Sequence, residues 1–159
     1  KSKEDTFLCT AKHLLGQAMG VAPEIKTDDF NLNFGYWKAY PRKDAITDDT
    51  VTVSRLITEE QNDFDIILLD CKLGKENAIM TLNPRFSSSI KGERFEIIGC
   101  EYPDKECHQK IYFATMDSYK NGQILLKSEL KFIPNGFSGA PVIDSMGLVI
   151  GLLSSGVRY

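Results

Sequence analysis

Histidine is scarce in this chain: only two occur in 159 residues, His13 and His108. If imidazole does proton transfer here, there are two places to look. The four cysteines, Cys9, Cys71, Cys100 and Cys107, contain no Cys-x-x-Cys pair. That spacing speaks against a structural zinc site, so no metal is expected. Charge of one sign is not in excess, with 19 Lys+Arg against 22 Asp+Glu and a net charge of −3. A basic surface for nucleic acid or an anionic membrane is therefore not expected. No apolar run approaches the ~20 residues of a membrane-spanning helix. Internal repeats and low-complexity segments are absent. The chain opens on Lys1 rather than methionine, so the lack of a visible signal peptide says little.

What is present is an ordinary globular composition, 42% hydrophobic and 26% charged, with enough apolar material for a core. Most of the pattern is strand-like. Thr50–Ile57 alternates in part with period two, as a half-buried strand does. Ile66–Leu69 is a continuous apolar run, which predicts a strand buried on both faces. Phe95–Gly99, Ile111–Thr115 and Ile124–Phe132 read the same way, and Val142–Leu153 reads as one further apolar strand. Asn121-Gly122 lies between two such runs and predicts a hairpin turn. Only Ala11–Met19 looks helical, and it is short. Three of the cysteines sit in apolar strand-like runs and are expected to behave as small core residues. Many short strands with turn signals argue for an all-β sandwich or barrel.

The residues that carry chemistry lie in three short segments. Gly136-Phe137-Ser138-Gly139-Ala140-Pro141 puts a serine between two glycines just before an apolar strand. A serine hydroxyl becomes nucleophilic when a base takes its proton and backbone N–H groups stabilise the resulting oxyanion. A glycine two positions earlier lets the backbone turn those N–H groups toward one point. Alone, the motif also fits an ordinary turn. Thr10-Ala11-Lys12-His13 ends a strand-like run on a histidine, whose unperturbed titration near ~6.5 suits a base that later acts as an acid. Asp65 stands at the mouth of Ile66–Leu69 and is the candidate to orient that histidine. Asp63 and Asp70 are rivals; Asp63, two residues away, would point to the same side of a strand. His108, in the polar stretch 104–110, reads as an exposed loop residue.

The order His, Asp, Ser, with Thr-Ala-x-His, Asp-Ile-x-Leu-Leu and Gly-x-Ser-Gly-x-Pro around them, resembles the trypsin/chymotrypsin superfamily of serine proteases, including its HtrA-type and compact bacterial and viral members. The likeness runs along most of the chain. Gly92–Pro103 is similar to the strand opening the family's second half, and Gly147–Gly156 to its substrate-binding edge strand. The resemblance implies two packed antiparallel β-barrels, residues 1–82 with His13 and Asp65, and residues 83–159 with Ser138. It implies terminal strands missing at both ends, a serine endopeptidase acting through an acyl-enzyme, and no cofactor. By the same resemblance, the N–H groups of Gly136 and Ser138 form an oxyanion hole. Phe132 and Ile133 lie at the floor of the specificity pocket, and Ser154, Ser155 and Gly156 meet the substrate backbone. No acid lies near that floor, so a small or medium apolar side chain is expected before the scissile bond. The implied partner is a polypeptide substrate, with room for an activating partner or further domains of the same protein.

Three positions depart from the family, the mildest being Ala140 in place of the more common glycine. Leu14 stands where many secreted relatives carry a cysteine, which leans toward a reducing, cytoplasmic compartment. Phe137 stands where zymogen-activated members carry an aspartate that pairs with a new N-terminus, so activation in that manner is not expected. Phe137 and the missing terminal strands keep open an alternative, a protease-like binding module or a partner-gated inactive protease. An α/β-hydrolase is disfavoured, because its residues run Ser, acid, His.

Overall fold

A computed structural model describes residues 6–14, 37–39, 51–57, 65–72, 81–131 and 133–154. The chain divides into two units, Lys1–Thr81 and Leu82–Tyr159. Apart from one 3-10 turn, every regular element among the described residues is a strand.

The first unit holds a four-stranded antiparallel sheet. Its strands are β1 (Phe7–Thr10), β2 (Trp37–Ala39), β3 (Val51–Leu56) and β4 (Ile67–Lys72), in the order β1-β4-β3-β2. Val53, Leu56, Ile67 and Leu69 form its core, with Leu8 packed against them. Strict alternation from Val51 and Val53 would turn position 55 inward. A bulge between Val53 and Arg55 shifts the register and brings Leu56 inside instead. The expectation for Ile66–Leu69 needs correcting. Ile66 is exposed, Ile67 and Leu69 are buried, and Leu68 is intermediate, so β4 buries one face. An antiparallel sheet needs only one covered face, which leaves alternation in place of burial on both sides. The helical expectation for residues 11–19 reduces to a 3-10 turn over Lys12–Leu14; residues 15–19 lie outside the described set.

The second unit holds five strands: β5 (Arg94–Gly99), β6 (Lys110–Lys120), β7 (Gln123–Ser128), β8 (Pro141–Ile143) and β9 (Val149–Leu152). Their order is β7-β6-β5-β8-β9, antiparallel throughout. Phe95, Ile97, Tyr112, Ala114, Met116, Phe137 and Val142 make the core. Burying a side chain such as Phe95 or Ile97 contributes roughly 1.5–3 kcal/mol. Here too the strands alternate, with Phe95 and Ile97 of β5 and Tyr112, Ala114 and Met116 of β6 turned inward. The run expected to end at Phe132 stops at Ser128, whose hydroxyl donates to the Leu130 carbonyl at 2.6 Å. Phe132 itself lies outside the described residues.

The run Val142–Leu153 is two strands rather than one. Asp144 folds it into a hairpin: its carboxylate accepts the N–H groups of Met146 and Leu148, each at 2.9 Å. Gly147 supplies a left-handed residue in the same turn, at φ 81°. Arg85 reaches this turn as well, with Nη1 at 3.3 Å from the Asp144 carboxylate and 2.5 Å from Glu93.

The cysteine expectation is also corrected. Cys100 and Cys107 form a disulfide, while Cys9 and Cys71 remain free thiols in partly buried positions. Cys100 lies just beyond the end of β5, so it belongs to the β5–β6 connection and not to the core.

Candidate active site

In the first unit the β1–β4 register assembles a histidine–carboxylate pair. Phe7 pairs with Asp70 and Thr10 with Ile67. Carried two residues further, the same register sets Lys12 opposite Asp65, where the Lys12 N–H donates to the Asp65 carbonyl at 3.2 Å. Ala11, wholly buried, fixes the end of the strand, and the 3-10 turn swings His13 back over Asp65. One oxygen of the Asp65 carboxylate, Oδ1, accepts the His13 backbone N–H at 2.7 Å. The other, Oδ2, lies 2.5 Å from His13 Nδ1. A carboxylate only accepts, so Nδ1 carries the proton and, in the neutral ring, Nε2 keeps its lone pair. The His13 side chain is partly exposed. Of the rival acids, Asp70 pairs with Phe7, at the end of β1 away from His13. Asp63 lies outside the described residues.

In the second unit Ser138 sits within a double turn. The Phe137 N–H donates to the Pro134 carbonyl at 3.0 Å and the Ala140 N–H to the Phe137 carbonyl at 2.8 Å. Gly136 and Gly139 take left-handed φ angles of 98° and 82°. The turn is tied to β9 by Gly139 N–H to the Leu153 carbonyl and Leu153 N–H to the Ala140 carbonyl, both at 2.8 Å.

The orientation of one peptide follows from its partner. The Asn135 carbonyl accepts the Tyr102 N–H at 2.9 Å. No peptide bond among the described residues is cis. In a trans peptide C=O and N–H point in opposite directions. The Gly136 N–H therefore points away from Tyr102 and is aimed by the bond on its carbonyl side. A side chain at 136 is barred by space as well as by φ: a Cβ would lie 2.7 Å from the Tyr102 nitrogen and 2.9 Å from the Cys100 oxygen.

Phe137 takes no part in an ion pair. Its ring is completely buried and meets Tyr112 edge-on, with centroids 5.3 Å apart. It lies over Gly99, where a Cβ would fall 2.7 Å from the ring. An apolar side chain thus anchors the turn next to Ser138 in the core of the second unit.

A cavity of about 370 Å3 opens beside the turn, lined by Tyr102, Pro134, Asn135, Gly136, Ser138, Leu153 and Ser154. Three residues expected from the sequence are in it: Gly136, Ser138 and Ser154. Ile133 is not among the lining residues and is exposed; on this segment the lining begins at Pro134, where the chain turns. Phe132, Ser155 and Gly156 lie outside the described residues. Tyr102, Pro134, Asn135 and Leu153 were missed. His108, as expected, is in an exposed loop, paired with Asp104 at 3.2 Å and Glu106 at 3.1 Å.

No family model and no curated relative matches the sequence. Solved structures do match. The crystal structure of Deg5 superposes with a TM-score of 0.53 at 14% identity, covering 96% of this chain and 70% of that one. The inactive form of a serine-to-alanine mutant of Rv3671c from M. tuberculosis H37Rv gives a TM-score of 0.45 at 12% identity, covering 72% of this chain and 62% of that one. The first of these likenesses shows a trypsin-like, chymotrypsin-type β fold for this chain.

Proposed function

We propose that this protein is a serine endopeptidase in which Ser138, His13 and Asp65 form a catalytic triad. The observation that carries the reading is the His13–Asp65 pair, because a carboxylate on Nδ1 holds the proton there and makes Nε2 the basic nitrogen of the neutral ring. In this reading Nε2 takes the Ser138 proton as Oγ attacks the scissile carbonyl. The Gly136 and Ser138 N–H groups receive the negative charge on the carbonyl oxygen. The imidazolium, stabilised by Asp65, then gives its proton to the leaving amine, and an acyl-enzyme remains. A water molecule, deprotonated by the same ring, releases the acid. The cavity beside Ser138 would take the side chain preceding the scissile bond. Among the described residues that line it, none is an acid, a lysine, an arginine or a histidine, which supports an uncharged residue there.

The test is covalent labelling with a fluorophosphonate probe. Wild-type protein is expected to label, and Ser138→Ala and His13→Ala are expected to lose labelling while keeping the wild-type circular dichroism spectrum. Labelling that persists in Ser138→Ala, or a folded wild type that never labels, overturns the proposal.

A further inference from the structure

The β5–β6 connection, residues 100–109, is more than a link between strands. Cys100 and Cys107 cross its base, with Cα atoms 5.1 Å apart, and close a ring over residues 100–107. The ring is braced from within. The Asp104 N–H donates to the Glu101 carbonyl at 3.0 Å and the Cys107 N–H to the Asp104 carbonyl at 3.1 Å. The Asp104 carboxylate accepts the N–H groups of Glu106 and His108, each at 3.0 Å. Cys107 is held at φ 49°, a conformation that non-glycine residues seldom adopt. Outside the ring, the core residue Tyr112 donates its hydroxyl to the Glu101 carboxylate at 2.8 Å.

This ring touches the catalytic turn through its backbone. Tyr102 N–H holds the Asn135 carbonyl, and the Cys100 carbonyl and Tyr102 nitrogen form the wall against which Gly136 sits. The Tyr102 side chain is largely exposed, so its place is set by the backbone of the ring rather than by core packing. Without the cross-link the ten-residue connection is held only by these hydrogen bonds and samples more conformations. Were Tyr102 to leave, the Asn135–Gly136 peptide would lose the bond that sets its direction.

We infer that the Cys100–Cys107 ring is a positioning device for the Gly136 N–H, and that the reactivity of Ser138 therefore follows the thiol–disulfide state of this pair. The inference rests on the protease reading above. Reduction by a dithiol breaks the Cys100–Cys107 bond. Two electrons and two protons pass to the cysteines, giving two thiols, and the reductant leaves as its own disulfide. Ser138 and the His13–Asp65 pair are untouched. Only the donor at Gly136 loses its aim, and the loss expected is up to the ~10²–10³-fold in turnover that goes with one oxyanion donor.

The experiment compares fluorophosphonate labelling rates, and kcat and KM on a labelled peptide substrate, for oxidised wild type, dithiothreitol-reduced wild type and the Cys100→Ser/Cys107→Ser double variant. Amide hydrogen exchange is followed in parallel. Reduction is expected to lower kcat and the labelling rate with KM nearly unchanged, and reoxidation to restore both. The double variant is expected to be slow and insensitive to dithiothreitol. Exchange is expected to rise in residues 100–109 and at Gly136 while β5 and β6 stay protected. If oxidised protein labels and reduction changes nothing, the inference fails and the protease reading stands. If β5 and β6 lose protection with the loop, the disulfide is a general cross-link and the inference also fails. If folded, oxidised protein never labels, the protease reading itself fails.

Discussion

Asp65 answers two donors at once, and this makes it more than a charged neighbour of a histidine. Oδ1 takes the His13 backbone N–H, which fixes where the residue sits, and Oδ2 takes Nδ1, which fixes how the ring is protonated. An asparagine has one acceptor and one donor at the same two places. If its oxygen keeps the backbone bond, its NH2 faces Nδ1 and drives the proton to Nε2. A ring in that tautomer cannot take a proton from Ser138. Asp65→Asn is therefore expected to lower kcat by about 10⁴-fold with the fold retained. Steady-state turnover together with a thermal unfolding curve checks it. A variant within tenfold of wild type would show that the carboxylate does not set the tautomer.

The hairpin between β6 and β7 shows what short sequence signals encode at the scale of the element. Asn121 and Gly122 both have positive φ, 50° and 77°, and Lys120 pairs with Gln123 across them. This is the type I′ geometry that suits strand twist. Asn121→Ala places a Cβ-bearing residue without asparagine's tolerance in the left-handed region, at a cost of about 1–2 kcal/mol. In a unit of this size each kcal/mol lowers the unfolding midpoint by roughly 4–8 °C. Asn121→Gly should leave the midpoint near wild type, because glycine accepts the same φ. Equal losses in both variants would mean that the asparagine side chain, not its backbone, matters. The hairpin was legible because its determinant is two adjacent residues. The same holds for the Gly136–Gly139 turn and for Asp65 at the head of β4. The β8–β9 hairpin was not legible, since its turn depends on a side chain, Asp144, capping backbone two and four residues ahead inside an apolar stretch. Nor was the ring at residues 100–107, because the disulfide depends on where β5 stops. The alternation of β4 was hidden by an apolar residue at every position, and only pairing with β1 and β3 decides which of them turn inward.

At the scale of the molecule, carboxylates distribute the second unit's stability along the pH axis. The hydrogen bond from Arg85 holds the Glu93 carboxyl below its ordinary range, helped by the Ile90 N–H. The Leu148 N–H, together with that of Met146 and the charge of Arg85, does the same for Asp144 against the opposing effect of its burial. Arg94 lowers Glu129 in the same way, through a bidentate contact at 2.7 and 3.2 Å. Each of these groups binds a proton less readily folded than unfolded. Below the unfolded carboxylate range, near ~4, the unfolded chain takes up protons that the folded unit resists, so stability falls as pH falls. Above that range both states are ionised and the contribution is complete. The contribution of these three carboxylates to the unfolding midpoint should therefore be constant from about pH 5.5 to 7.5 and fall as pH goes below about 4. Glu93→Gln removes one of the depressed groups and weakens its bond to Arg85. That variant should start lower at neutral pH and lose less on acidification, so its curve approaches the wild-type curve near pH 3. Thermal unfolding followed across this range decides it. Parallel curves would mean that Glu93 is not ionised against Arg85 in the folded protein. Arg85 joins this ion pair to the Asp144 turn and, through its N–H on the Val149 carbonyl, to the start of β9. Acid that loosens the ion pair should thus reach the strand that anchors the Ser138 turn before it reaches the Phe95–Ile97 core.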